Sequence, residues 1–240
     1  MWEFVDKVVY INLDHREDRR KIMQSFFDEA QIPAEKIHRF SGIKHKIGIV
    51  GCAQGHIGIL KMAKANNWKR VLILEDDLKW VNFEENYKKL ELLVTTPKWD
   101  VCMLGGFYID TDPPRIMASF CTNAYIVQSH YYDTLLNNFE YGLSQKLNKP
   151  KSRLAWKNPS KVEDDYNKLV DADNIHNVDV YWIKLQMKDN WIGVIEPMFE
   201  QLSTFSDIYN KVVEHSGFDY EALCGYGKHF QSILAKLGDV

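Results

Sequence analysis

RVLILEDD, residues 70–77, decides the fold, because it joins an apolar β-strand directly to three carboxylates. Residues 70–74 are apolar without the alternation of a half-buried strand, which predicts a strand covered on both faces of a sheet. In α/β proteins, ligands bind beyond the carboxyl ends of such strands. Glu75, Asp76 and Asp77 are therefore predicted to lie at a ligand-binding edge.

The acidic triplet has two interpretations. Adjacent carboxylates repel one another, so a cation or hydrogen-bond donors must compensate. Carboxylate oxygens together with water and phosphate suit Mg²⁺ or Mn²⁺, and such an ion would stabilise a departing nucleotide diphosphate. The alternative is a solvated acidic turn with a helix cap. Spacing alone leaves both open.

Two other classes of α/β enzyme are not supported by the sequence. A phosphatase of the haloacid dehalogenase type needs D-x-D-x-[TV], which residues 74–78 do not supply. A Rossmann dehydrogenase needs G-x-G-x-x-G after its first strand, where this chain has Leu13-Asp14-His15-Arg16.

Strand-like and helix-like segments alternate along the chain. Strands are predicted near residues 7–13, 37–40, 70–74, 101–104 and 121–128, with helices near 16–30, 52–66, 83–94 and 131–139. This alternation predicts an α/β fold with a mainly parallel central sheet.

Residues 140–178 differ in composition, with basic residues first, acidic residues next and poor apolar periodicity. We interpret this segment as a surface insertion or an acceptor-binding lid on a single domain of residues 1–240. A helical pattern over 180–188, a short strand at 192–195 and a terminal helix at 220–237 are expected after it.

Composition sets only broad limits. The net charge of −3 gives no sign of a nucleic-acid partner. The four cysteines form no CxxC or metal-ligand pair, which is typical of free thiols in a reducing compartment. The N-terminus lacks a signal-peptide core, and no apolar run is long enough to span a membrane, so a cytoplasmic location is expected.

Two further groups of residues favour a nucleotide site. Residues 12–20 (NLDHREDRR) follow the first predicted strand, and arginine guanidinium groups there match phosphate oxyanions. The alternative is a charged first helical turn on the surface. Residues 51–56 (GCAQGH) begin a helix, where His56 is either structural or a ligand.

In order and spacing these residues resemble glycosyltransferase family 25, which includes lipooligosaccharide and procollagen galactosyltransferases. The family's I-N-L-x-x-R-x-x-R-R, G-C-x-x-S-H and L-E-D-D are matched, in that order, by Ile11, Asn12, Leu13, Arg16, Arg19 and Arg20, by Gly51, Cys52 and His56, and by Leu74 to Asp77. Later similarities are Asn123 to Val127, Val178-Asp179, and the closing Pro197, Gln201, Ser206 and Asp207. Gly55 stands where the family has serine, which puts in doubt a role of that side chain in the donor pocket.

The resemblance implies a GT-A-type nucleotide-sugar-binding fold, a UDP-sugar donor, Mn²⁺ or Mg²⁺, and inversion at the anomeric carbon. It makes Asp77 the first metal ligand, with Glu75 and Asp76 sharing the metal, the ribose or the donor sugar. Asn12, Arg16 and Arg19 would lie near the nucleotide, and His56 and Asp207 would have a supporting or second metal role. Asp179 is the candidate general base, with a helix N-cap as its alternative.

The sequence therefore predicts an enzyme that moves galactose or glucose from a UDP-sugar to a hydroxyl of a glycan or of a collagen-like, hydroxylysine-type acceptor. The main alternative is a non-catalytic glycosyltransferase-like binding or assembly module. A third possibility is a different α/β nucleotide enzyme, which would prefer ATP to UDP.

Overall fold

A computed structural model describes residues 1–148, 175–196, 198–208 and 211–213. Its strands are β1 (Lys7–Asn12), β2 (Ile37–Ser41), β3 (Arg70–Leu74), β4 (Leu78–Trp80), β5 (Val101–Asp112), β6 (Arg115–Gln128), β7 (Trp191–Gly193), β8 (Phe199–Gln201), β9 (Thr204–Ser206) and β10 (Lys211–Val213). Its α-helices are α1 (Glu17–Glu29), α2 (Gly48–Ala65), α3 (Phe83–Thr95), α4 (Tyr132–Asn148), α5 (Val178–Tyr181) and α6 (Ile183–Lys188). Short 3₁₀ turns cover Ala34–Lys36 and Ser129–Tyr131.

The central sheet has the strand order β2-β1-β3-β6-β5-β7. β1 pairs in parallel with both β2 and β3, and β5 pairs in parallel with β7. β6 is antiparallel to both β3 and β5, so it alone of the six runs against the others. The predicted α/β class with a mainly parallel sheet is confirmed.

The sheet is covered on both faces, which explains why β3 is apolar without alternation. Val71 and Ile73 pack into one core with residues of α2 and α4. Leu72 and Leu74 pack into a second core with residues of α1 and α3. All four side chains are fully buried.

Two strands and a helix are longer than the sequence predicts. β5 does not end at the glycine pair Gly105-Gly106 but continues through it with a shift in register. A Cβ at Gly106, where φ is +151°, would lie 2.7 Å from Ser119 Oγ, so the strand bulges where only glycine fits. β6 likewise begins six residues before the predicted start, and α4 runs nine residues beyond its predicted end at residue 139.

The predicted insertion at 140–178 lies partly outside the described residues, as does the predicted terminal helix at 220–237. Of its ends, residues 140–148 belong to α4, and Ile175 and Val178 are buried in the core beside α2. The described ends of the segment are therefore joined to α4 and to the core, and the insertion or lid itself stays a prediction. No helix among the described residues has the length and apolarity needed to cross a bilayer.

Candidate active site

The acidic triplet lies beside the end of β1, because β1 and β3 are parallel neighbours whose carboxyl ends meet at one edge of the sheet. Asn12, the last residue of β1, donates from Nδ2 to Asp76 Oδ2 at 2.7 Å. Arg19, from the first turns of α1, donates from Nη1 to Asp76 Oδ1 at 2.7 Å. Burial raises the pKa of Asp76, and the Arg19 charge and these two hydrogen bonds oppose that rise.

Burial and the charges of both other acids of the triplet raise the pKa of Asp77. Burial, followed by the charge of Glu75, raises its pKa to about 7, against the opposing charge of Arg19. Its Oδ2 is 3.2 Å from Arg19 Nη1. Its Oδ1 is buried and has no hydrogen-bond partner among the described residues. This oxygen is therefore available to a cation.

Glu75 presents its two carboxylate oxygens to different surroundings. Oε1 accepts a hydrogen bond from Thr122 Oγ1 at 2.8 Å and lies 3.8 Å from His56 Nε2. Oε2 lies 3.5 Å from the amide nitrogen of Gln201 on β8. Burial would raise the pKa of Glu75, but the nearby His56 imidazole, with the Thr122 hydrogen bond, holds it below its ordinary value.

His56 is fully buried on α2 behind Glu75. Its Nδ1 is 2.9 Å from the hydroxyl of Tyr125 on β6. Cys52 lies one helical turn before it, and one ligand atom each from Cys52, His56 and Glu75 lie within 4.8 Å of one another. His56 therefore lies close to Glu75, and its predicted supporting or second metal role stays a prediction.

Arg16 and Asp207 form a clamp across the edge of the site. Arg16 Nη1 donates to Asp207 Oδ2 at 2.6 Å and to the Phe205 carbonyl at 2.9 Å. Asp207 Oδ1 is 3.0 Å from His15 Nε2. Burial would raise the pKa of Asp207, but Arg16 and His15 hold it below its ordinary value. Both oxygens of Asp207 thus already face positively charged or hydrogen-bonding groups.

Asp179 lies in the first turn of α5, whose N-cap is Asn177. The alternative reading of Asp179 as the N-cap is therefore wrong. Its Oδ2 accepts a hydrogen bond from the Cys121 backbone N–H at 3.4 Å, and Cys121 has a left-handed φ of 68°. Burial raises the pKa of Asp179, and the charge of Glu75 adds to that rise.

The structure brings most of the predicted residues into one connected site. Asn12 and Arg19 contact the triplet, His56 lies behind Glu75, and the charge of Glu75 acts on Asp179. Arg16 is joined to the site through its carbonyl, which accepts from Asn12 Nδ2 at 3.0 Å, and Asp207 through β9, since Arg19 Nη2 donates to Thr204 Oγ1 and the Phe205 carbonyl. Pro197 lies outside the described residues.

Some contributing side chains carry no signal in the sequence. Thr122 sits within a largely apolar strand, and Arg39 on β2 donates to Asn12 Oδ1 at 3.0 Å. Tyr125 belongs to the stretch 123–127 that resembles the family, but the resemblance does not indicate its contact with His56. A Cβ at Gly55 would meet the Ile11 side chain at 3.3 Å. The missing serine hydroxyl would therefore point at β1.

Comparison with known proteins gives a partial match. No family model matches the chain. It is 32% identical over 106 residues to a protein of Acanthamoeba polyphaga mimivirus described as a candidate glycosyltransferase, a match covering 35% of this chain and 32% of that protein. The chain thus spans about a third of the length of the curated relative that it matches.

Solved structures with a similar course of the chain include two glycosyltransferases. One takes part in glycosylation of the major capsid of PBCV-1 (TM-score 0.46, 7% identity, 92% of this chain and 97% of that one). The other is a Drosophila β-1,4-galactosyltransferase 7 mutant with manganese, UDP-Gal and xylobiose (TM-score 0.41, 9% identity, 90% and 78%). Likenesses this weak decide neither family nor activity. Through its similarity to the mimivirus protein, the chain is glycosyltransferase-like.

Proposed function

We propose that the protein is an inverting, metal-dependent glycosyltransferase of the family 25 type, with a GT-A-type donor site. In this proposal it transfers galactose or glucose from a UDP-sugar to a hydroxyl of a glycan or of a hydroxylysine-type protein side chain. The sugar and acceptor classes follow from the resemblance of the sequence, and the reaction type is supported by the site.

The observation that carries the proposal is the unpartnered carboxylate oxygen of Asp77. A buried carboxylate oxygen without a donor is costly, and a bound cation removes that cost. Asp77 Oδ1 is such an atom, and among the described residues Glu75 Oε2 has only a long contact to Gln201. Two carboxylate oxygens, with water and diphosphate in the remaining coordination positions, fit Mn²⁺ or Mg²⁺.

When bound, the ion would neutralise charge on the departing UDP. The protein's own residues hold the carboxylates in position. Arg19 and Asn12 fix Asp76 through two hydrogen bonds of 2.7 Å. Arg19 also balances part of the triplet's charge, which lets Asp76 and Asp77 remain buried close to Glu75. We therefore assign Asn12 and Arg19 to positioning the triplet as well as to the nucleotide side of the site.

Arg16 and Asp207 take a different place in this proposal from the one the resemblance implies. Arg16 already donates to Asp18, Asp207 and the Phe205 carbonyl. Because Asp207 already holds Arg16 and His15, we propose that it closes the β9 edge of the donor site. Its role as a metal ligand stays a prediction that would require Arg16 to move.

Asp179 is the proposed general base. An inverting transfer needs a carboxylate that accepts the acceptor hydroxyl's proton on the side opposite the leaving UDP. A pKa raised by burial makes the ionised carboxylate a stronger base at neutral pH. The Cys121 N–H holds one oxygen and leaves the other oriented by the helix.

The test is release of UDP from UDP-galactose or UDP-glucose with Mn²⁺ and a panel of glycan and hydroxylysine acceptors. We expect Asp179→Asn to lower turnover by about 10²–10⁴-fold while UDP still binds, and Asp77→Asn to lose both turnover and metal-dependent UDP binding. Asp28→Asn, an exposed acid on α1, is the matched control and should behave as wild type.

Three outcomes would contradict the proposal or replace it. Metal-dependent UDP binding without turnover on any acceptor would indicate the non-catalytic binding module. Tighter metal-dependent binding of ATP than of UDP would indicate a different nucleotide enzyme. Full turnover in Asp179→Asn would remove Asp179 as the base.

A further inference from the structure

Three side chains of different metal-binding type converge behind the triplet. Cys52 and His56 are four residues apart on α2 and therefore share a face of the helix. Glu75 reaches them from the end of β3, and ligand atoms of the three lie within 4.8 Å of one another. They come from two elements that are packed rigidly into the same core.

The imidazole of His56 gives an independent sign of a ligand. The residue is fully buried, and its Nε2 has no hydrogen-bond partner among the described residues. Its Nδ1 faces the Tyr125 hydroxyl at 2.9 Å. Metal-bound histidines are held in this way, with the second ring nitrogen hydrogen-bonded so that the ligating nitrogen keeps its lone pair.

The two oxygens of Glu75 separate this cluster from the ion proposed at Asp77. Oε1 points to His56 and Thr122, whereas Oε2 points to Gln201. Asp77 is not part of the cluster. The carboxylate therefore stands between two sites and offers one oxygen to each.

We infer that Cys52, His56 and Glu75 bind a thiophilic divalent cation, with Zn²⁺ as the best fit, at a site distinct from the manganese site. A thiolate, an imidazole and a carboxylate form a mixed set that suits Zn²⁺ far better than Mn²⁺ or Mg²⁺, which prefer oxygen. Cys52 releases its thiol proton to solvent when the metal–sulfur bond forms. Three protein ligands leave a fourth position for water, and Thr122 supports the set by its hydrogen bond to Glu75.

This inference revises the expectation from cysteine spacing, which finds no metal-ligand pair. The pair is formed by a cysteine and a histidine on one helix, and the third ligand, 19 residues beyond His56, directly follows a strand. The inference does not depend on transferase activity. An ion pair between protonated His56 and Glu75 is the competing explanation for the 3.8 Å contact.

Cobalt substitution tests the site directly. Chelator-treated full-length protein is titrated with Co²⁺, and the thiolate-to-cobalt charge-transfer absorption in the near ultraviolet is recorded. We expect one equivalent of Co²⁺ to produce this band and Zn²⁺ to abolish it by displacement. Zn²⁺ affinity, measured by competition with a chromophoric chelator, should fall by roughly 100-fold or more in Cys52→Ser and by about 10-fold in Tyr125→Phe.

Two matched variants define the result. Cys102→Ala removes a buried thiol in the other core and should keep the band. Asp77→Asn should also keep it, which separates this site from the manganese site. Cys52→Ala accompanies Cys52→Ser, and circular dichroism selects the variant that folds. No band in folded wild type, a band that survives loss of Cys52, or a band lost in Cys102→Ala would overturn the inference and favour the ion pair.

Discussion

At the scale of single residues, Asp77 lies in an unfavourable electrostatic environment that a bound cation would relieve. Its carboxylate is buried, adjacent to two other acids, and only partly balanced by Arg19. Burial and the Glu75 charge raise its pKa to about 7 from the ordinary value of 3.8. In chelator at pH 8, ionisation of Asp77 therefore costs free energy in the folded state that it does not cost in the unfolded chain.

Replacing Asp77 with asparagine should consequently stabilise the metal-free protein. We expect Asp77→Asn to raise the free energy of unfolding in chelator at pH 8 by roughly 1–3 kcal/mol. Urea unfolding of wild type and variant measures this, with Asp28→Asn as the control for loss of an exposed acid. A variant less stable than wild type in chelator would mean that the Arg19 contact outweighs the repulsion.

At the scale of elements, the contact between Arg16 and Asp207 joins the loop before α1 to the β9–β10 hairpin. Hydrogen bonds to charged groups contribute about 1.5–3 kcal/mol when buried, and this pair is partly exposed. We expect Asp207→Asn to lower the free energy of unfolding at pH 7 by roughly 1–2 kcal/mol.

The same contact predicts a definite dependence on pH. Because the folded-state pKa of Asp207 is below its ordinary value of 3.8, its stabilising effect is present above that value and is lost as the pH falls through the lowered folded-state pKa. The difference between wild type and Asp207→Asn should therefore shrink below about pH 4. A difference that is unchanged from pH 7 to pH 3 would show that the loss is not one of charge. Thermal melting across this range is the measurement.

The first turns of α2 are fixed by glycine rather than by a cap. A Cβ at Gly51 would lie 2.2 Å from the Ile43 carbonyl oxygen, a backbone atom that has little freedom to shift. A Cβ at Gly55 would meet only the flexible Ile11 side chain at 3.3 Å. The two positions share a helix but differ in what surrounds them.

Alanine at these two positions should therefore act in opposite directions. We expect Gly51→Ala to destabilise the protein by about 1–3 kcal/mol through overpacking. Gly55→Ala should be neutral or stabilising by up to about 1 kcal/mol, since alanine favours a helix. Chemical unfolding of both variants measures this. Equal losses would mean that helix position rather than the Ile43 contact controls the effect.

The elements that the sequence predicts well are those whose local pattern also decides their burial. β3 matches its predicted bounds because an unbroken run of four apolar residues after Arg70 fits a strand covered on both faces. β5 does not match its predicted bounds, because the pair Gly105-Gly106 predicts the end of a strand. The bulge is visible only in the pairing of β5 with the facing strand β6. β4, β8, β9 and β10 have three residues each, too few for any period to appear.

The candidate site follows the same division. Asn12 and the triplet are predictable because consecutive parallel strands end at one edge. The contact of Arg16 with Asp207 spans 191 residues, and that of His56 with Tyr125 spans 69. The packing of the fold decides such contacts. The family resemblance therefore identifies several of the residues but does not indicate which of them are in contact. Asp207, for example, is implied as a metal ligand but faces Arg16.

At the scale of the whole molecule, the sheet edge collects groups from every part of the described chain. β1, β6 and β8 each contribute a side chain to the carboxylates that follow β3, through Asn12, Thr122 and Gln201. A ligand that bridges these groups binds the folded state and has no counterpart in the unfolded chain. Its binding should therefore stabilise the domain as a unit.

Metal and nucleotide are consequently expected to stabilise the protein together. At about 100 times its dissociation constant a ligand adds about 2.7 kcal/mol, which for a chain of this size corresponds to roughly 5–10 °C in Tm. We expect Mn²⁺ and UDP together to give such a shift, and UDP with chelator to give little, because each raises the affinity of the other. Asp77→Asn should lose the joint shift, whereas Asp28→Asn should keep it. An equal shift with UDP in chelator would place the nucleotide away from the carboxylates, and an equal shift with ATP would remove the preference for uridine on which the transferase proposal depends.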